Sequence, residues 1–245
     1  MAVLIKKYKF WILLHLIIFT SCGSDEEQNP PMGDGEIIGN VVLFNEFNVP
    51  RPNEGMEVSI LDSDEKTITD ARGNFTLSNI PFNNYQLVFN KPGYGSFVSE
   101  EFDHSGANGD TTFLPKSYFL GQLSNTSIIS ARATLDNNDF LITIETEPSA
   151  STQDPLFITV FLNGNASVSN ETNSAVHGTL RIEKNPVEIR IEQQQLYDYG
   201  FSADKTVFFK VYGDSFFNNS YNKLGSVIHP NVNPISSPTF DLVVQ

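Results

Sequence analysis

Beyond residue 35, apolar side chains recur in short alternating or β-branched runs, and Asn, Asp, Gly and Pro separate the runs. "EIIGNVVLF", "EVSIL", "NFTL", "YQLVF", "FLITIET", "LFITVFL", "TLRIE", "VEIRIE", "TVFFKVY" and "FDLVV" all read as strands, because a period of two sets one face against a core and the other against water. Helical periodicity is almost absent. The pattern predicts an all-β chain, and about 210 residues after the linker suffice for one or two domains with real cores. The expected division is one sandwich over 36–120 and a second over 121–245, with Gly121 at the natural break.

Turn chemistry refines this picture. Asp70-Ala71-Arg72-Gly73 suits a type I turn, with Asp at its first position and Gly at its fourth, so two strands should meet there. Phe75 and Leu77 then share one strand face, Asn83-Asn84 offers a left-handed turn, and Tyr85, Leu87 and Phe89 point together into a core. In the second half, "ARATLDNNDFLITIET" predicts a hairpin turning at 136–139. "TLRIEKNPVEIRIE" predicts another around Lys184-Asn185-Pro186, with Leu180 and Ile182 against Val187, Ile189 and Ile191. Strands at this spacing favour an immunoglobulin-like or fibronectin-like sandwich over 121–245.

The window 69–94, "TDARGNFTLSNIPFNNYQLVFNKPGY", resembles the carboxypeptidase regulatory-like family. Thr69, Asp70, Gly73, Phe75, Leu77, Ile80, Pro81, Tyr85, Leu87, Lys91, Gly93 and Tyr94 match its pattern, and Asn83 stands where glycine is usual. The resemblance implies a seven-stranded prealbumin-like sandwich over 36–120. It also implies a packing or interaction module, since such modules accompany peptidases, surface receptors and lipoproteins and carry no catalytic residues themselves. Related pilin-type modules crosslink through a first-strand lysine, but 36–47 contains none.

The amino-terminal end carries a different signal. Lys6, Lys7 and Lys9 precede the apolar run "FWILLHLIIF" at 10–19, too short for a spanning helix and suited to a secretory signal over 1–21. Thr20-Ser21-Cys22 resembles a bacterial lipobox, which implies that Cys22 receives acyl chains and anchors the mature chain to a membrane. Residues 22–35 then form the acylated cysteine and a flexible tether. The acidic run Gly23-Ser24-Asp25-Glu26-Glu27 resembles the signal that sends Bacteroidota lipoproteins to the exterior of the outer membrane, and equally suits a solvated tether. Cys22 is the only cysteine, so no disulfide can form within the chain.

Charge narrows the partners. Without the three signal-peptide lysines, 12 Lys and Arg stand against 29 Asp and Glu, a net charge of −17. Such a surface repels phosphate backbones, so nucleic acid is not an expected partner. The expected partners are the membrane, through Cys22, and an envelope protein or glycan.

Candidate chemistry is sparse. His15, His104, His177 and His229 lack zinc-ligand spacing, and no cofactor or metal is expected. Acidic clusters at 62–65 and 136–139 could hold calcium, but neither forms a full ligand loop, and both read better as turns. Gly213-Asp214-Ser215 resembles the nucleophile block of GDS-type esterases, yet it falls late in a β context. Ser226 also replaces the Asp of that family's D-x-x-H, so Ser215 has no identifiable partner. Tyr197, Tyr199, Tyr212, Phe216, Phe217 and Tyr221 cluster, and Tyr212, Phe216, Phe217 and Tyr221 are the candidate ligand platform. The expectation is a non-enzymatic, lipid-anchored envelope protein serving as a surface adhesion, scaffold or binding component. Alternatives are a glycan-binding accessory of polysaccharide uptake and a hydrolase using Ser215.

Overall fold

The longest strand of the first half, β1 (Asp34–Phe44), alternates buried and half-buried positions along nearly its whole length. This is the period of two that the sequence shows. The computed structural model describes residues 33–106 and 109–245; the signal and Cys22 lie outside the described residues. After β1 come β2 (Pro50–Arg51), β3 (Glu57–Ile60), β4 (Lys66–Ile68), β5 (Asn74–Pro81), β6 (Asn83–Tyr85) and β7 (Leu87–Asn90). β8 (Phe97–Val98), β9 (Phe102–His104), β10 (Thr111–Phe113) and β11 (Tyr118–Gly121) complete this half.

β1 is central to one sheet. β5 and β2 pair antiparallel along one edge, and β10 and then β11 pair parallel along the other. The facing sheet has the order β4-β3-β7-β8, and β6 pairs with β9 in a small ribbon. Ile37, Val41 and Leu43 of β1 meet Val58 and Ile60 of β3, Phe75 and Leu77 of β5, and Leu87 and Phe89 of β7 in one apolar core. Burying such side chains contributes about 1.5–3 kcal/mol each. The Asp70 turn forms as expected: Gly73 N–H donates to the Asp70 carbonyl, and the Asp70 carboxylate accepts from the N–H groups of Arg72 and Asn74. The strands it joins lie in different sheets, however, because β4 pairs with β3 and β5 with β1. The left-handed asparagine here is Asn79, at φ 57°, while Asn83 and Asn84 extend into β6.

The second half runs β12 (Ser127–Asp136), β13 (Asp139–Glu147), β14 (Leu156–Asn163), β15 (Ala175–Ile182), β16 (Val187–Ile191), a short helix α1 (Gln193–Asp198), β17 (Thr206–Asp214), β18 (Tyr221–Lys223), β19 (Ser226–Ile228) and β20 (Phe240–Val243). One sheet is β12-β13-β16 and the other β15-β14-β17-β20, with β18 and β19 as a separate ribbon. The two sheets form the expected β-sandwich, with three strands facing four. Phe140, Ile142 and Ile144 face Ile158, Val160, Phe209 and Val211 across its core.

The hairpin at 136–139 forms, with Asp136 opposite Asp139 and positive φ at Asn137 and Asn138. The second expected hairpin does not. β15 pairs with β14 and β16 with β13, so the chain crosses between sheets at 184–186. Asn185 secures the crossing, because its side chain donates to the Thr146 carbonyl and accepts from the Thr146 N–H. Alternation alone fits either partner; this side-chain clip accompanies the crossing. The helix, unexpected from the sequence, begins with a capping box between Glu192 and Gln195 and buries only Leu196.

Strand β14 departs from alternation, since seven consecutive residues are buried. Leu156, Ile158, Val160 and Leu162 enter the sandwich core, while Phe161 packs with Val168, Tyr212 and Val232 on the opposite face. The segment after β17 therefore covers a sheet face that would otherwise meet water. The same segment joins the two sandwiches into one compact body.

Candidate functional site

Of the candidate residues after Cys22, Ser215, Phe216, Phe217 and Tyr221 touch the first sandwich or the strand that leaves it. β1 and β2 are connected by a tight loop in which the Asn45 side chain accepts from the N–H groups of Phe47 and Val49 and Asn48 takes φ 66°. This loop turns Glu46 inward, where only 7% of it is exposed. The Glu46 carboxylate accepts from the Ser124 hydroxyl at 3.2 Å, the Asn125 N–H at 2.8 Å and the Asn125 side-chain amide at 3.1 Å. Its carbonyl accepts from the Phe216 N–H at 2.9 Å. One residue thus fixes the loop of the first sandwich to two segments of the second.

Two asparagines extend the seam. Asn219 donates to the Phe119 carbonyl and accepts from the Gly121 N–H, and Asn231 accepts from the Gly95 N–H while donating to the Phe217 carbonyl. Alongside runs a chain of rings. Phe119 stacks on Phe217 at 6.0 Å, Phe217 lies 4.6 Å from Phe44 and 4.9 Å from Phe216, and Phe216 meets the edge of Phe157 at 5.6 Å. Offset and edge-on contacts of this kind add about 0.5–1.5 kcal/mol beyond burial.

The chain of rings opens into a cleft of 420 Å³ whose apolar walls are Phe47, Pro155, Phe157 and Phe216. Phe47 is 43% and Phe216 46% exposed, so both rings are partly open to solvent. Asn48, Gln153, Asp154 and Arg181 complete the lining of the cleft. Arg181 stands directly across from Phe157 in the ladder between β14 and β15, and its guanidinium pairs with Glu183. Gln153 and Asp154 are held by a turn in which the Ser151 hydroxyl accepts from the Asp154 N–H.

The four expected platform residues do not share one face. Phe216 walls this cleft and Phe217 lies half-buried beneath it, whereas Tyr212 is 4% exposed and meets Phe161 edge-on. Tyr212 is buried because the segment through Val232 covers that face of β17. Tyr221 lines a separate cleft of 630 Å³ that also carries Glu100, Glu101 and Lys116. The sequence reading missed Phe47, Phe157, Arg181 and Glu46, which lie far from 212–221 in the chain. The continuous apolar run of β14 was the available signal, since seven buried residues imply a second covered face.

The esterase-like block has a structural outcome of its own. Asp214, 1% exposed, accepts on one carboxylate oxygen from the Thr159 hydroxyl at 2.6 Å, the Thr179 hydroxyl at 3.1 Å and the His229 Nδ1 at 3.0 Å. Its other oxygen accepts from the Ser215 N–H. His229 therefore has an aspartate partner that the sequence spacing did not reveal. Ser215 is fully buried, however, and its hydroxyl donates to the Gln122 carbonyl, so the described hydrogen bonds include none between nucleophile and base. The cluster ties β14, β15, β17 and the covering segment together.

The acidic turn at 136–139 is occupied by a guanidinium: Arg190 pairs with Asp136 and with Asp139 at 2.9 Å. A hydrogen bond from the Gln193 N–H and then the Arg190 contact hold the Asp139 carboxyl below its ordinary range. Asp62-Ser63-Asp64-Glu65 connects the paired strands β3 and β4. Among the described residues, no group of three or more His, Cys, Asp or Glu is placed to hold a metal. His104 is buried and bridges Thr112 and the Ile80 carbonyl.

No protein-family model and no curated protein matches the chain. Among solved structures, it is similar to a protein of Bacteroides uniformis described as a putative carbohydrate binding protein. That likeness has 13% identity over 86% of this chain and 99% of the other, with a TM-score of 0.33. A DUF3823 family protein of Parabacteroides merdae aligns at 9% identity over 85% and 98% of the two chains, with a TM-score of 0.32. The major pilin SpaD of Corynebacterium diphtheriae aligns at 9% identity over 87% and 68%, with a TM-score of 0.27.

Proposed function

We propose that the protein is a non-enzymatic, lipid-anchored component of a Bacteroidota-type cell envelope, held on the exterior of the outer membrane by acyl chains on Cys22. There it acts as a surface adhesion, scaffold or binding component. The observation that carries this reading is the preformed cleft at the joint of the sandwiches, whose walls come from both halves and are fixed by Glu46. A compact body presenting an open site suits capture at a distance from the membrane, and the lipobox-like "FTSC" supplies the attachment. Burial of Ser215 and its bond to Gln122 favour a binding role over hydrolysis.

The test is metabolic labelling with a fatty-acid probe, combined with protease treatment of intact cells. Wild-type protein should take up label and be cut from outside, and Cys22→Ser should take up none. An unlabelled wild-type protein would end the anchoring reading, and protection from protease would end the exterior one. Glycan binding is the favoured form of the binding role, because partly exposed aromatic and polar residues line one cleft.

A further inference from the structure

We infer that the Phe47–Phe216 cleft is a binding site for a neutral pyranose unit of a glycan, an inference that rests on the binding-protein reading above. Three features of the cleft converge on this ligand. The first is the apolar part of its lining: Phe47 and Phe216 come from different sandwiches, each leaves nearly half its surface open, and Phe157 and Pro155 line the same cleft. A pyranose presents a flat patch of C–H groups on one side, and a ring face accepts such a patch without demanding a hydrogen bond.

The second feature is the chemistry of the polar groups. Asp154 offers an acceptor pair, Gln153 an amide with both donor and acceptor, and Arg181 a fork of donors. These planar groups match the hydroxyls of a sugar, each of which both donates and accepts. A purely apolar occupant would offer nothing to the Asp154 carboxylate or the Gln153 amide.

The third feature is charge. Arg181 is already paired with Glu183, and Asp154 adds a further negative charge, so the cleft holds no surplus positive charge for a uronate or phosphate. The net charge of −17 beyond the signal opposes polyanions at longer range. A neutral sugar meets no such barrier. The 420 Å³ of the cleft lies within the range of roughly 300–1,000 Å³ typical of small-ligand sites.

The preformed geometry also follows from the fold. Glu46 holds the loop carrying Phe47 against the N–H of Phe216, so the two rings are positioned without a ligand. Such pre-organisation removes part of the ordering cost of binding.

The experiment is calorimetric titration of the chain from residue 22 onward, carrying Cys22→Ser, with three probes. These are soluble neutral oligosaccharides of glucose, mannose, xylose and galactose, a polyuronate, and a random-sequence peptide pool. A neutral oligosaccharide should bind, Phe216→Ala and Phe47→Ala should each weaken it about tenfold, as when a central aromatic anchor is truncated, and Phe113→Ala, an exposed ring outside this cleft, should not. Both cleft rings are substantially exposed, so the variants should fold; Asp154→Ala and Gln153→Ala carry the same test should either fail. Binding that survives in the double variant, binding of the polyuronate or peptide pool alone, or no binding to any probe overturns the sugar site. None of these touches the anchoring reading, which the fatty-acid label decides separately.

Discussion

The carboxylate of Glu46 accepts both the backbone N–H and the side-chain amide of Asn125, 79 residues later in the chain. No cation accompanies it among its described bonds; neutral donors alone hold it. Glu46→Ala strands the Ser124 and Asn125 donors at a buried joint, which costs about 1–3 kcal/mol. Thermal melting should show a fall of about 2–4 °C for each kcal/mol lost in a chain of this size. An unchanged Tm would mean that the joint does not depend on this residue.

The two halves should fold independently. Each has its own apolar core, one centred on Phe75 and Phe89 and the other on Phe140 and Phe209. First-half pairing runs through Gly121 to a bridge between Tyr94 and Gln122, so fragments are best divided after residue 123. Cooperative unfolding of 33–123 and of 124–245, each at a lower Tm than the whole, is the expected result. A fragment that melts without a transition would show that its sandwich requires the other.

Gly73 stands at φ +85°, where a Cβ would lie 2.0 Å from the Val41 carbonyl oxygen. Gly73→Val should therefore destabilise the chain by about 1–3 kcal/mol from backbone strain alone, before the clash with β1 is counted. Denaturant titration would read this as a lower midpoint with an unchanged slope. A wild-type midpoint would contradict the turn geometry.

Stability should fall on acidification in two stages. Burial lowers the pKa of His177, whose Nδ1 faces the Tyr199 hydroxyl, below the ordinary imidazole value of 6.5. The unfolded chain then binds a proton where the folded chain does not. This contribution is present above the ordinary value and is lost as pH falls toward the lowered one. Asp70 and Asp139, both lowered chiefly by backbone N–H donors, act in the same direction below the ordinary carboxylate value of 3.8. Tm recorded across this range should decline, and His177→Gln should flatten the stage nearer neutrality. A Tm that rises as pH falls would reverse the assignment.

Asp214→Ala should be among the most damaging single changes, because it leaves the hydroxyls of Thr159 and Thr179 and the ring of His229 without their shared acceptor. A cost on the order of 3 kcal/mol is expected. Ser215→Ala should cost about 1 kcal/mol through the lost bond to Gln122, and ester hydrolysis should be at background in both this variant and the wild type. Turnover present in the wild type and abolished by Ser215→Ala would restore the hydrolase reading.

Much of the fold is legible in the sequence because a half-buried strand must alternate. Phe75 and Leu77, or Val187, Ile189 and Ile191, declare their face without reference to any partner. What alternation cannot encode is which strand lies alongside. The segments of β15 and β16 look like a hairpin, yet Asn185 clips the chain to Thr146 and sends it into the other sheet. The cleft was half legible for the same reason. Phe216 stood out in a local cluster of aromatics, but Phe47, Phe157 and Arg181 join it only through the pairing of β14 with β15 and the inward turn of Glu46. Tyr212 shows the converse, an aromatic in that cluster which the covering segment through Val232 removes from solvent.

The position of β1 gives the body a mechanical character. This strand begins at Asp34, directly after Gly33, and carries ladders on both edges, to β5 and β2 on one side and to β10 and β11 on the other. Traction applied at Gly33 is directed along the strand, while the hydrogen bonds of its antiparallel ladders lie across that direction. Both rows must then slip together for β1 to be withdrawn; neither can be peeled one bond at a time. A pull from the amino-terminal end therefore loads both ladders of β1 in shear before it reaches the joint farther along the chain.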